Sequence, residues 1–412
     1  MHPLRKALHN ELHSRPSIYF EGPAYVYHLA FIDPDDQCDG IISSLYEQTD
    51  ALYDRSTPQG LIKLGTFALK WERHTEFFTL TLVAPKSDSE TAGIWQPLPA
   101  VLRDIVAAHR DLIINADLIQ VETEQSWAGD YAFYGFKDPA GSNVGGGDAT
   151  VWSDFKLDQE GMNRILLVNR GLNAYRLGRM IRRLLEIETY RMMASLTLPV
   201  AQSISASLKE FDKELTGLSD SNAETASCDA KRLLNDIAAL SARIVRCTAR
   251  SRRRFSATEA YSKIVFERIG ELREAHLGDC QRLGVFIERR FKPTVRYCAA
   301  TDQRLQRLGH SVANLSELLQ ARVQVEVEAQ NSEILHSLNS RANTQIKIQK
   351  AVEGLSLIAI SYYLLSLFKL VLEGLHTIGL KIEPLTAATY MTPIALFILG
   401  FIALRIRQAK SH

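Results

Sequence analysis

The chain has 412 residues, of which 46% are hydrophobic and 23% charged, so most of it is expected to fold as an ordinary soluble protein in two or three regions. The formal net charge of +1 excludes a global electrostatic argument for a nucleic acid or an acidic partner. The five cysteines form no CxxC pair, which favours free thiols in a reducing compartment over a disulfide framework or a metal site.

The N-terminal segment MHPLRKALHNELHSRP carries charges and lacks an apolar core. A cleaved signal peptide is therefore not expected. His9 and His13 are four residues apart, a spacing that could place both on one helix face for a metal ion. Without the glutamate of an HExxH motif this signal is weak, and two surface histidines are the simpler interpretation.

Residues 1–171 are predicted to form a cytoplasmic α+β domain. Short segments rich in β-branched and aromatic residues alternate there with helical patterns. The predicted strands are 26–32, 61–69, 76–83 and 111–122, and residues 97–109 are predicted to be helical.

The segment ERHTE offers a second constellation in this domain that could carry chemistry. In a continuous strand, Glu72, His74 and Glu76 would point to one face, where they could bind a metal ion or transfer protons. A solvated strand face beside a turn is the competing interpretation and the favoured one.

Residues 137–150 (KDPAGSNVGGGDAT) form a glycine-rich segment. It contains neither GxxxxGK[ST] nor GxGxxG, so it matches no known phosphate-binding loop. A hairpin tip or a flexible loop is the favoured interpretation.

Residues 172–350 are predicted to form a long-helix stalk region. Leucines and a valine recur there at steps of three and four, which predicts a coiled-coil seam; its members are Leu305, Leu308, Val312, Leu315 and Leu319. No proline separates Thr294 from the first apolar segment near the C-terminus, so one continuous helix is expected to enter that segment. Fifty helical residues would extend roughly 75 Å.

Two arginine clusters lie in this region, at residues 176–183 and 250–254. Clusters of this kind can bind anions, lipid head groups or nucleic acid. Because no nucleic-acid-binding motif accompanies them, solvated helix faces paired with nearby glutamates are favoured, and no nucleic-acid partner is expected.

Residues 351–404 are predicted to form a two-helix transmembrane hairpin. The segments 354–372 and 385–404 have the length of about 20 mainly apolar residues that a bilayer requires, and the second carries no charge. Basic residues precede the first segment and form a tail at 405–412. The positive-inside rule therefore predicts two cytoplasmic termini, a short loop over residues 373–384 on the other side, and the lipid bilayer as a partner.

One polar face interrupts the first apolar segment. Its members are spaced by four, three and four residues, which places them on one side of a helix; they are Tyr362, Ser366, Lys369 and Glu373. Lys369 and Glu373 can pair across one turn. A helix–helix contact is favoured over the wall of a pore.

The segments MHPLRKALHNELHSRP, KWERHTEFFTLT and VEGLSLIAISYYLLSLFK together resemble a family of uncharacterised bacterial proteins described as predicted membrane-anchored proteins. The resemblance covers essentially the whole chain. It implies a multi-pass protein of the bacterial inner membrane with two C-terminal helices, and it implies no activity, cofactor or catalytic residue.

The layout also resembles CorA-type magnesium channels, which combine a cytosolic α/β domain, a long stalk helix and two C-terminal membrane helices. Their Gly-Met-Asn signature should close the first membrane helix, and this chain has LEGLHTIGL there. A ring formed by Lys369 would also repel cations unless Glu373 neutralised it.

The sequence therefore predicts a non-enzymatic, membrane-anchored protein with a large cytoplasmic sensory or scaffolding domain, which forms a homo-oligomer through the stalk and membrane helices. The alternative is a CorA-like oligomeric ion channel or transporter. A third interpretation, a membrane-tethered enzyme, requires Glu72, His74 and Glu76 to line a pocket.

Overall fold

The computed structural model describes residues 2–11, 18–33, 37–47, 49, 52–87, 90–224, 230–378 and 384–409. The chain divides into two compact units, Met1–Glu317 and Leu318–His412. Helix α7 (Leu283–Thr377) contributes residues to both units.

An eight-stranded sheet forms the centre of the N-terminal unit. Its spatial order is β2-β3-β4-β1-β5-β8-β7-β6. Neighbouring strands are antiparallel except β5 and β8, which are parallel. The strands are β1 (Ala24–Ile32), β2 (Gln59–Leu64), β3 (Phe67–Arg73), β4 (Phe77–Pro85), β5 (Ile113–Thr123), β6 (Ala140–Val144), β7 (Ala149–Ser153) and β8 (Asn163–Asn169).

Among the described residues, the α-helices comprise three short and five long elements. They are α1 (Arg5–Glu11), α2 (Cys38–Tyr46), α3 (Ala100–Ala108), α4 (Ala174–Ser195), α5 (Thr197–Glu224), α6 (Ala230–Glu271), α7 (Leu283–Thr377) and α8 (Pro384–Ala409). Helix α4 begins where the Asn173 side chain accepts a hydrogen bond from the Arg176 backbone N–H, which satisfies a donor that the first helical turn leaves open.

Side chains alternate across the sheet and create two different cores. Tyr25, Tyr27, Leu29 and Phe31 of β1 face the core that includes residues of α2 and α3. Ala24 and Val26 face the core that includes residues of α4, α6 and α7, and His28 lies on the same side of the strand. The sheet is therefore covered on both faces. This explains why nearly every residue of β1 and β4 is buried, whichever face its side chain points to.

The strand predicted over 61–69 is wrong in its bounds. The chain reverses at Gly65, which has a φ of +61°, so two antiparallel strands, β2 and β3, occupy this region. Glycine adopts this left-handed conformation without the steric cost that other residues meet. The predicted strands 26–32 and 111–122 correspond to β1 and β5.

The glycine-rich segment forms the tip of a hairpin, as predicted. Strands β6 and β7 pair from Ala140–Ser153 to Val144–Ala149, and residues 145–148 connect them. Gly145, Gly146 and Gly147 all have positive φ angles, which explains the run of glycines in the turn.

Four of the five residues of the predicted coiled-coil seam are buried within the N-terminal unit. Leu305, Leu308, Val312 and Leu315 are at most 7% exposed, and Gly309 lies near Ile244 of α6. A spacing of three and four residues between apolar side chains is found where helices pack within one chain and also where they pack between chains. The seam consequently needs no second chain to cover it.

The continuous helix predicted from Thr294 onward is part of α7. Within the described residues, α7 is the one helix that meets the length and hydropathy criteria for a membrane span. Its most apolar 18-residue window has a mean hydropathy of 2.0, and none of that window is buried by the rest of the chain. The second apolar segment forms α8 over 26 residues. The predicted loop and tail lie partly outside the described residues, at 379–383 and 410–412.

Candidate functional site

A cavity of about 190 Å³ lies between the sheet and α4. A cavity of about 150 Å³ holds a benzene molecule, so this one has room for a small organic molecule. Its apolar walls include Val26, Val83, Ile181 and Leu185. Apolar walls with a few polar groups aimed inward are typical of small-molecule sites.

An ion pair contributes the charged part of the lining. Lys70 and Glu72 lie two residues apart on β3, so both point to the α4 side of the sheet, and their Nζ and Oε1 atoms are 2.9 Å apart. Lys70 is only 5% exposed. Burial lowers the pKa of Lys70, and the charge of Glu72 offsets this only in part.

The pKa of Glu72 lies below its ordinary value. Burial alone would raise it, but the charge and hydrogen bond of Lys70 and the charge of Arg182 outweigh that effect. Arg182 in turn donates from Nε to Glu186 at 2.7 Å. The charged residues that line the cavity are thus largely paired with one another.

A buried histidine stands on the sheet wall. The Nδ1 and Nε2 atoms of His28 lie 2.8 Å and 2.9 Å from the hydroxyl oxygens of Thr81 and Thr189. Burial lowers the pKa of His28 to about 4, so the ring is neutral at physiological pH. It joins β1, β4 and α4 through hydrogen bonds and carries no charge into the cavity.

Thr79 supplies a polar group that is open to a ligand. It lies on β4, opposite Glu72 of β3, and lines the cavity. In the part of the chain that the structure describes, its hydroxyl has no hydrogen-bond partner. A hydroxyl in this position can donate to or accept from a bound molecule.

A network of buried polar side chains continues from the cavity beneath α4. Asp117 of β5 is fully buried and accepts hydrogen bonds from Asn115 at 2.6 Å and Asn163 at 2.9 Å. Glu188 of α4 is 2% exposed and pairs with Arg191 at 2.6 Å. Burial and the nearby charge of Glu188 raise the pKa of Asp117.

The predicted trio of Glu72, His74 and Glu76 is not one strand face. Strand β3 ends at Arg73 and β4 begins at Phe77, so His74 and Glu76 belong to the hairpin turn. Glu72 and His74 line the cavity. Glu76 instead pairs with Arg253 and Arg254 of α6, at 3.2 Å and 2.8 Å.

The other predicted residues are not part of the lining of this cavity. Tyr362, Ser366, Lys369 and Glu373 are all exposed on α7, where Lys369 Nζ lies 3.9 Å from Glu373 Oε1. His9 is on α1, whereas His13 lies outside the described residues. Among the residues that the structure describes, no group of three or more His, Cys, Asp or Glu side chains is placed to hold a metal ion.

Four residues of the cavity lining were not predicted from the sequence: His28, Lys70, Thr79 and Thr189. A signal did exist, because polar residues occupy alternate positions of strands that are otherwise apolar, as with Lys70 and Glu72 on β3 and Thr79 and Thr81 on β4. In a sheet covered on both faces, such alternation indicates buried polar contacts or a site.

Two comparisons with known proteins bear on this chain. A protein-family model described as "Protein of unknown function (DUF3422)" matches residues 1–410. No curated protein matches the chain at a significant level.

Proposed function

The chain belongs to the family of proteins of unknown function DUF3422, and from this premise we propose that it is a membrane-anchored protein whose N-terminal unit binds a small organic molecule. The observation that carries the proposal is the cavity between the sheet and α4, with Lys70, Glu72 and Thr79 in its lining. The ligand is expected to be compact and largely apolar, with a polar group that reaches Thr79 and the ion pair.

A binding role fits the contacts of the polar residues better than a catalytic role. Proton transfer needs a base or acid that is free to exchange a proton with the substrate. Both ring nitrogens of His28 already contact threonine hydroxyls, and Lys70 is paired with Glu72. We therefore propose a sensory protein and not an enzyme.

The apolar helices at the C-terminus support membrane anchoring. The core helix of a soluble protein can be equally apolar, but such a helix is mostly buried, and the apolar window of α7 is not buried at all. An exposed surface of this kind calls for lipid or for a partner. Helix α8, at about 39 Å, is long enough to be a second span. Lys347 and Lys350 before the first span favour a cytoplasmic N-terminal unit.

Removal of the Thr79 hydroxyl tests the site. Thr79→Val keeps the shape of the side chain and removes one hydrogen-bonding group, so we expect about tenfold weaker binding of a ligand that contacts it. Ligands would be found by thermal shift of the detergent-solubilised full chain with a library of small molecules, and affinities measured by calorimetry.

Thr216→Val is the matched control. Thr216 is exposed on α5, where its hydroxyl donates to the Asp212 carbonyl, and it is not part of the cavity lining. Equal affinity of all hits for the parent and for Thr79→Val would mean that the molecules bind elsewhere, and it would count against the proposed site.

A further inference from the structure

A second pocket lies on a different side of α4. Four arginines line it, and its volume is about 160 Å³. Gly178, Ile181, Arg182, Leu185 and Glu186 of α4 line the first cavity, together with Thr189 and Tyr190, whereas Arg176, Arg179, Met180 and Arg183 line the second. The two sites therefore use different faces of one helix, and the second is independent of the proposed ligand cavity.

The charges of this pocket are unbalanced. Arg176 pairs with Asp148 at 2.5 Å, and Arg183 pairs with Glu271 at 2.9 Å. Arg179 and Arg273 are exposed, and within the described residues neither side chain has a hydrogen bond or an ion pair. Two guanidinium groups thus remain available beside two that carboxylates already hold in place.

The backbone at Arg273 supports a role for its side chain. Arg273 follows the end of α6 with a φ of +49°, and its N–H donates to the Gly270 carbonyl at 3.2 Å. Glycine is the usual residue at this left-handed position after a helix, since other residues meet a steric cost there. An arginine at such a position is a local strain of the kind that often marks a functional site.

The segment that carries Arg273 is fixed to the glycine-rich hairpin. The Gly145 N–H donates to the Leu272 carbonyl at 2.8 Å, and the Ala275 N–H donates to the Asn143 carbonyl at 2.8 Å. The Gly145 carbonyl also accepts a hydrogen bond from Arg176 at 3.1 Å. These contacts fix the hairpin, the 272–275 segment and the start of α4 around one pocket before any ligand binds.

We infer that this pocket binds a phosphate group, held by Arg179 and Arg273 and flanked by Arg176 and Arg183. Guanidinium groups match phosphate oxygens with paired, charge-assisted hydrogen bonds. Leu172 and Met180 add an apolar wall, so the site fits a phosphate ester better than the free ion. The ester is either a soluble metabolite or a lipid head group, and the choice of probe separates these sources.

Titration calorimetry of the full chain in a neutral detergent, at constant ionic strength, tests the inference. The probes are inorganic phosphate, glycerol 3-phosphate and dihexanoyl phosphatidic acid below its micelle concentration. We expect a dissociation constant near or below about 1 mM for a phosphate ester. Tightest binding of glycerol 3-phosphate would indicate a soluble ester, and tightest binding of the phosphatidic acid would indicate a lipid head group.

Arg179→Ala and Arg273→Gly are each expected to weaken phosphate binding about tenfold. Arg273→Gly also relieves the left-handed backbone, so its melting temperature should equal or exceed that of the parent, and a loss of binding cannot then come from unfolding. Arg246→Ala and Arg250→Ala, which remove exposed arginines of α6, should change nothing. No heat with any probe, or equal affinity of Arg179→Ala, Arg273→Gly and the parent, would overturn the inference.

Discussion

Glu72→Ala is expected to destabilise the N-terminal unit by about 4 kcal/mol. The substitution leaves the charge of Lys70 buried without its partner 2.9 Å away, and the desolvation of that charge is no longer compensated. Urea unfolding followed by tryptophan fluorescence measures the change, because Trp71 is buried on the same strand.

The double variant Lys70→Met/Glu72→Leu is the control for this prediction. It removes both charges and keeps the volume, so its stability should lie within about 1 kcal/mol of the parent. Together with Lys70→Met and Glu72→Leu it completes a double-mutant cycle that isolates the coupling between the two side chains. A loss below about 1 kcal/mol for Glu72→Ala would mean that water in the cavity solvates Lys70 fully.

The second large effect concerns pH. The pKa of Asp117 is raised by burial and by the nearby charge of Glu188, while hydrogen bonds from Asn163 and Asn115 and the charge of Arg191 oppose the shift. His28 lies opposite Asp117 on β1 and is neutral above about pH 4. The folded state therefore retains a proton on Asp117 at pH values where the unfolded chain has released it.

The sign of the effect follows from proton binding. Above the ordinary aspartate pKa of about 4 the folded chain binds more protons at Asp117 than the unfolded chain does, so the contribution of Asp117 to stability falls as pH rises. The loss is about 1.4 kcal/mol for each pH unit until folded Asp117 also ionises. Between about pH 5 and pH 7 Asp117 therefore contributes a decrease of about 2 kcal/mol to the free energy of unfolding. His28 contributes a rise of similar size over the same interval, because its folded pKa of about 4 lies below the ordinary value.

Asp117→Asn should remove the contribution of Asp117, since the amide cannot ionise. Relative to the parent, its free energy of unfolding should therefore rise by about 2 kcal/mol between the two pH values. Asp104→Asn is the matched control, because Asp104 is an exposed carboxylate on α3 and its replacement should leave the pH dependence intact. Urea midpoints at the two pH values provide the measurement for all three proteins. An equal pH dependence of the parent and Asp117→Asn over this interval would contradict a protonated, buried Asp117.

Local patterns predicted much of the fold. The predicted strand at 111–122 corresponds to β5, and the continuous helix predicted after Thr294 is part of α7. Both could be predicted because the first has the apolar pattern of a strand and the second is a long segment without proline. The reversal at Gly65 was not predicted, since a single glycine in a segment of strand-forming residues is a weak signal for a turn.

The candidate site was harder to predict because its residues are distant in sequence. The order of the strands and the packing of α4 bring His28, Thr79 and Thr189 to one cavity. Neither the strand order nor the helix packing can be inferred from the local spacing of residues. The ERHTE motif indicated the right part of the chain. The hairpin turn then separated Glu76, which binds arginines of α6, from Glu72 and His74 in the cavity.

The helical seam shows a different limit of the sequence. Leu305, Leu308, Val312 and Leu315 have the spacing of a coiled coil, and they are buried in their own chain. The periodicity reveals which side of a helix is covered, but it does not reveal whether the cover comes from the same chain or from another.

Native mass spectrometry of the full chain, released by detergent from washed membranes, tests the central proposal most directly. Thr79→Phe serves as the comparison, since its larger side chain fills the cavity. We expect the parent to remain in the membrane pellet until detergent is added and to carry the extra mass of one small molecule, which Thr79→Phe lacks. A chain that stays in the supernatant without detergent would contradict the proposal. So would a parent whose measured mass, like that of Thr79→Phe, equals the mass of the chain alone.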